Sequence, residues 1–201
     1  ECGYASVGEF HYVHHQVGGT HHDNIAETSL RAIAAAQQTG IGLTHLPVFY
    51  MQGGVDGKAL AGGQLRFGNS PDEFAHLLEQ AQAALSKAPE DYVLGIAPHS
   101  LRAAAPEALA TITDARPSGP IHIHIAEQVK EVEELQESYG ARPVEWLLHN
   151  RPVDARWCLI HAPHMTPEET VAFAKSGAVA GLCPITEANL GDGIFDGPRF
   201  L

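Results

Sequence analysis

Residues Pro120-Ile-His-Ile-His-Ile-Ala-Glu-Gln128 decide the fold. Apolar and imidazole side chains alternate from Ile121 to Ile125, the period of a β-strand, so Ile121, Ile123 and Ile125 share one face and His122 and His124 the other. Helix-forming residues follow, with Val129, Val132, Leu135 and Tyr139 at helical spacing and Gly140 placed to end the helix. An imidazole at a strand's carboxyl end, with carboxylate Glu127 three residues on, is how an α/β enzyme sets a metal ligand beside a proton carrier.

The same strand-then-helix unit recurs on both sides. Strands are expected at Tyr4 to Phe10, Ile41 to Phe49, Tyr92 to Ala97, Arg156 to Ile160 and Ala178 to Cys183. Helices are expected at Asn24 to Gln38, Pro106 to Thr113 and Pro143 to His149, and two more open on Ser70-Pro71-Asp72-Glu73 and Thr166-Pro167-Glu168-Glu169. Each of those openings has a capping hydroxyl, a proline at the first helical position and a Glu reaching back. The glycine-rich segment after Cys183 reads as a loop. Six largely apolar strands alternating with helices fit a parallel sheet covered on both faces.

Polar residues gather just after these strands: Glu9 to Tyr12, His99 to Arg102, His124 to Glu127, His161 to His164 and Thr186 to Asn189. A (β/α)8 TIM-type barrel brings all such loops around one mouth, whereas an open sheet strings them out, so the barrel is the expected α/β fold. No glycine-rich phosphate-binding motif follows a strand, which removes the main support for a nucleotide-binding sheet.

Composition narrows the partners. With 201 residues, 44% of them apolar, the chain is expected to form one domain over 1–201. A formal charge of -12 disfavours nucleic acid and anionic membranes and favours a small-molecule substrate. Cys2, Cys158 and Cys183 are odd in number and lack CxxC spacing; with no membrane-spanning run or signal-like start, a reduced, cytoplasmic protein is expected. Of thirteen histidines, His21, His22, His76 and His149 read as structural or solvent-facing and the others as strand-end residues.

Three motifs together resemble strands five, six and seven of the amidohydrolase-superfamily deaminases: His124-Ile-Ala-Glu127 with upstream His122, Leu159-Ile-His161, and the segment from Cys183 to Gly191. Within that family, the segments Gly8 to His14, Ala97 to Ala103 and Thr186 to Ile194 are closely similar to members acting on N-formimidoyl-L-glutamate. The resemblance implies metal-dependent hydrolytic deimination of that substrate, with one Zn²⁺, or another divalent metal such as Fe²⁺, per subunit. It makes His124 the metal ligand, Glu127 the proton shuttle and His161 the group that polarises substrate or nucleophile. Arg102 is expected to grip a substrate carboxylate in bidentate fashion, with His99 and Tyr12 also binding substrate. His122 is read as a second-layer polar residue, and Glu187 and Asn189 as shaping the strand-seven loop.

The family's paired metal histidines on strand one are expected before Glu1, and its strand-eight aspartate after Leu201. The adjacent pairs His14-His15 and His21-His22 would diverge on a strand and cannot replace them. The chain is therefore expected to cover about strands two to seven of an incomplete barrel, and pairing with a second copy as a homodimer is one way to cover its edges. Two rivals stay open: a deaminase of purines, pyrimidines or nucleosides, and a barrel segment without catalytic competence.

Overall fold

The computed structural model describes residues 3–116 and 118–201. Cys2 lies outside the described residues, and Cys158 and Cys183 are free. Parallel pairing joins β1 (Ser6–His11) to β2 (Gly42–Phe49), from Ser6 against Gly42 to His11 against Pro47. The strand expected at Tyr92 to Ala97 is two short pieces, β3 (Val93–Leu94) and β4 (Ala97–Pro98), both paired with β2. Gly95 sits at the break, where a Cβ would lie 2.4 Å from the Pro120 carbonyl oxygen and 2.6 Å from Leu46 Cδ2. Only glycine lets these backbones approach so closely.

Beyond the break, Ile96 N–H donates to Pro120 O and His122 N–H to Ile96 O, both at 3.0 Å, and carry the sheet into β5 (Ile121–Ile125). From β5 it continues in parallel to β6 (Trp157–His161) and β7 (Val179–Gly181). Strands thus pair in chain order, the order that successive βα units of a barrel give.

Helices α1 (Glu27–Thr39), α2 (Pro71–Leu85), α3 (Pro106–Asp114), α4 (Val129–Tyr139), α5 (Pro143–Asn150) and α6 (Pro167–Ser176) match the expected ones to within a few residues. Ser70 and Thr166 form the capping boxes read from sequence, and Gly40 and Gly140 close α1 and α4 in the left-handed conformation. One expectation fails after Cys183. The segment read as a loop contains α7 (Pro184–Leu190) and α8 (Gly197–Phe200), and Phe195 and Phe200 pack edge-to-face against Phe173 of α6.

Ile121, Ile123 and Ile125 are buried with Leu43, Phe49, Leu159 and the apolar faces of the helices in one core. The other face of the sheet holds a smaller cluster of Leu46, Val48 and Ala97, against which Phe10, Tyr12 and Tyr50 pack. His122 and His124 belong to that second face, as their alternation requires.

The histidines read as strand-end residues divide. His45 lies mid-strand in β2, on the helix-facing side shared with Leu43 and Phe49, and is fully buried. Its ring centroid is 5.1 Å from that of His11, whose Nδ1 contacts Glu9 Oε1 at 3.3 Å and whose Nε2 contacts Thr28 Oγ1 at 3.1 Å. His14 and His15 are buried in a turn, their Nε2 atoms donating to Val48 O at 2.8 Å and Gly68 O at 2.7 Å. His76 and His149 are exposed on helices, and His21 stacks on His15 at 4.3 Å in a loop.

Candidate active site

The site lies where β4, β5 and β6 end. His124 N–H and His124 Nδ1 both donate to His99 O at 3.0 Å, so the last residue of β4's extension fixes both the backbone and the ring of the β5 histidine. A donating Nδ1 leaves Nε2 as the lone-pair nitrogen, the arrangement a metal-binding histidine uses. Burial, and then the charge of His161, push His124 down to about 4, so it is neutral and able to coordinate at pH 7. Burial takes His99 further, to about 3. Phe10, Tyr12 and His99 pack around the His124 ring with centroids at 4.4, 6.4 and 5.0 Å.

His161 reaches the same site by an irregular route. It has the parity of Leu159, which faces the helices, and pairs with Ile125, which does the same. Yet its ring stacks on His124, with centroids 5.4 Å apart and planes at 13°. The backbone supplies the turn: His161 has φ 75° and Ala162 φ 48°, while Ala126 at the end of β5 has φ 48°. These are the positive-φ residues other than glycine among the described residues, and each costs on the order of 1–3 kcal/mol. All three flank the site.

Glu127 follows the Ala126 turn. Its Oε1 lies 3.4 Å from His161 Nε2 and its Oε2 3.9 Å from Arg102 Nη2. Glu131, one helical turn on and fully buried, accepts the Glu127 N–H at 3.0 Å and stands 3.8 Å from Arg102 Nη2. Burial raises the Glu131 carboxyl above the usual range. Arg102 Nε has no hydrogen-bond partner among the described residues. The guanidinium therefore retains donors for a ligand. Tyr12 is pushed up to about 12 by burial and then by Glu127, so its phenol stays a donor.

A cavity of ≈ 650 Å³ opens beside these groups, lined by Tyr50, Gln64, His99, Ser100, Arg102 and Gln128. Its two lysines are already engaged, Lys58 with Asp56 at 2.9 Å and Lys130 with Glu134 at 3.5 Å. Arg102 is the cavity cation that also reaches Glu127 and Glu131, at 3.9 and 3.8 Å.

Sequence reading thus brought together His99, Arg102, His124, Glu127, His161 and Tyr12. His122 sits two residues earlier than His124 on the same face, half-buried. Asn189 is exposed on α7. Two residues were missed. Glu131 had a legible signal, a carboxylate one helical turn after Glu127 in the first turn of α4. Glu187 had none: it was read as loop-shaping, but it is buried and its Oε1 contacts His161 Nδ1 at 3.1 Å. Among the described residues, His161, Cys183 and Glu187 are the one trio whose potential ligand atoms lie within 4.8 Å of one another, and His124 is not part of it. Burial, and then the neighbouring Glu187 and Glu127 carboxylates, raise the Cys183 thiol.

No family model matches the chain. An amidohydrolase from Brucella melitensis, known from a crystal structure, superposes with a TM-score of 0.96 at 55% identity, over 98% of this chain and 44% of that one. An adenosine deaminase from Xanthomonas campestris, solved with bound zinc, shares the fold at a TM-score of 0.68 and 21% identity, over 91% of this chain and 40% of that one. Formimidoylglutamate deiminase of Pseudomonas aeruginosa is 50% identical over 202 aligned residues, which cover 100% of this chain. The chain is thus related along its whole length to formimidoylglutamate deiminase, and it spans 44% of that enzyme.

Proposed function

We propose that this chain is the central part of a cytoplasmic formimidoylglutamate deiminase, which hydrolyses N-formimidoyl-L-glutamate to N-formyl-L-glutamate and ammonia in histidine breakdown. In this reading residues 1–201 form a single catalytic unit and the sheet is an arc of a (β/α)8 barrel, strands two to seven, with β3 and β4 as two pieces of one barrel strand. The partner is a small dicarboxylate rather than nucleic acid or membrane, and the subunit pairs as a homodimer. The observation that carries the reading is the position of Glu127, within 4 Å of both Arg102 and His161, the latter stacked on the neutral His124.

His124 fits one ligand position of a divalent metal, Zn²⁺ or Fe²⁺, because it is held neutral with its Nδ1 hydrogen on a carbonyl, which leaves Nε2 to coordinate, and the further ligands would come from outside these residues. When bound, such a metal makes hydroxide available at neutral pH. The chain's own groups do the rest. Arg102 binds a substrate carboxylate through paired N–H donors, with the Tyr12 phenol and His99 beside it. His161 orients the amidine carbon for attack by water. Glu127 takes the proton from that water and delivers it to the departing nitrogen, so that ammonia leaves rather than an amide anion.

The test is ammonia release by the metal-loaded, full-length polypeptide that carries this segment, with N-formimidoyl-L-glutamate offered beside adenosine and cytosine. Turnover of the formimidoyl substrate alone is expected. No ammonia from it, or preferential turnover of a base, would overturn the proposal.

A further inference from the structure

Glu187 is joined to the site through one oxygen. Its Oε1 accepts the Cys183 N–H at 2.9 Å and contacts His161 Nδ1 at 3.1 Å, and the residue is only 7% exposed. A carboxylate accepts and does not donate, so the hydrogen in the second contact belongs to Nδ1. The carboxylate is held in turn by its helix. Cys183 caps α7, Glu187 N–H donates back to Cys183 O at 3.0 Å, and Glu187 O accepts from Asp192 N–H at 3.0 Å.

The imidazole at the other end needs such a hold. His161 sits in the left-handed region at φ 75°, on a strand whose regular continuation would aim it toward the helices. Stacking on His124 fixes the tilt of the ring plane but not whether Nε2 or the carbon Cε1 faces Glu127. A 180° flip about the Cβ–Cγ bond would keep the stack but put Cδ2 where Nδ1 stands and Cε1 where Nε2 stands, and the contact of Nδ1 with Glu187 opposes that flip. With Nδ1 tied to Glu187, Nε2 is the nitrogen presented to Glu127 Oε1 at 3.4 Å.

We infer that Glu187 is a positioning residue that fixes the ring orientation and the Nδ1–H of His161, so that Nε2 alone faces the reacting groups. This rests on the functional reading above only for its kinetic consequence. A histidine's outer hydrogen-bond partner typically contributes about 10- to 100-fold to the function of the ring it orients.

The experiment compares wild type, Glu187→Ala and Glu187→Gln in the metal-loaded, full-length polypeptide. It reads kcat and KM for N-formimidoyl-L-glutamate and, with ¹⁵N-histidine labelling, the His161 Nδ1–H resonance, assigned with a His161→Asn variant. Glu187→Ala is expected to lose the downfield Nδ1–H resonance and about 10- to 100-fold in kcat, with KM within about threefold. Glu187→Gln keeps an oxygen for both N–H donors and is expected to retain the resonance and stay within about tenfold of wild type. Persistence of the resonance in Glu187→Ala would overturn the inference, as would equal kinetic loss in both variants. If wild type releases no ammonia from this substrate, the functional proposal falls, and the resonance in Glu187→Ala alone decides the positioning role.

Discussion

Acid should unfold the polypeptide through two histidines that are not in the active site. His14 and His45 are each 0% exposed. His14 donates Nε2–H to Val48 O, and neither nitrogen of His45 has a hydrogen-bond partner among the described residues. Burial pushes both down to about 3, and for each the neighbouring His11 imidazole works in the same direction. The folded pKa lies below the unfolded value of about 6.5, so the unfolded chain binds more protons in acid. The stability is fully present above about pH 6.5 and is lost as pH falls toward 3. At pH 5 each imidazole withholds a proton that the unfolded chain binds with about 2 kcal/mol, from 1.5 pH units at about 1.4 kcal/mol each, or about 4 kcal/mol for the pair.

Urea unfolding at pH 7.5 and pH 5.0 measures this. With a slope of about 2 kcal/mol per molar, the two histidines alone lower the midpoint by about 2 M. Other buried histidines add to the total, so the decisive quantity is a difference. His45→Phe fills the same space without a titrating ring, and its pH-dependent loss should be about 2 kcal/mol smaller than that of the parent. Glu9, held below the usual carboxylate range by its hydrogen bond from His11, starts to contribute only under about pH 4.5 and does not confuse the comparison. Equal losses in His45→Phe and parent would show that His45 is charged or hydrated in the folded state and would refute the reasoning.

Arg102→Met removes the cavity guanidinium beside Glu127, and kcat/KM for a dicarboxylate substrate should fall about 10- to 100-fold, as loss of a charge-assisted hydrogen-bond pair implies; unchanged steady-state kinetics would contradict that role. Glu127→Gln should lower kcat by about 10²- to 10⁴-fold while metal content, read by atomic emission, stays at the wild-type level. Gly95→Ala puts a methyl 2.4 Å from the Pro120 carbonyl, and a loss of about 1–3 kcal/mol in thermal or urea unfolding is expected; a fully stable variant would mean that the β3–β4 break can open without cost.

The parts of this fold that sequence reveals are those whose cause is local. β5 was readable to the residue because Ile and His alternate with no interruption, and both capping boxes were readable because each needs only four consecutive side chains. α7 was not, since a Pro-Ile-Thr opening between glycines carries no helical period, and the segment forms a helix because Glu187 bonds back to the Cys183 N–H and buries itself on His161. β3 and β4 were read as one strand because nothing local announces that Gly95 lies against Pro120.

The active site shows the same division more sharply. Residue types and their order after each strand were enough to nominate His99, Arg102, His124, Glu127 and His161. Strand parity, applied to His161, gives the wrong face, because Leu159 and His161 should point the same way and do not. What brings the ring round is a left-handed backbone at His161 and Ala162, a conformation that neither residue prefers. Such strain persists only where the surroundings impose it, and here the imposing contacts come from the His124 stack and from Glu187, twenty-six residues away in sequence. A local pattern can therefore say that a histidine ends the strand, but which face it serves is decided by the backbone turn and by contacts from the neighbouring βα units.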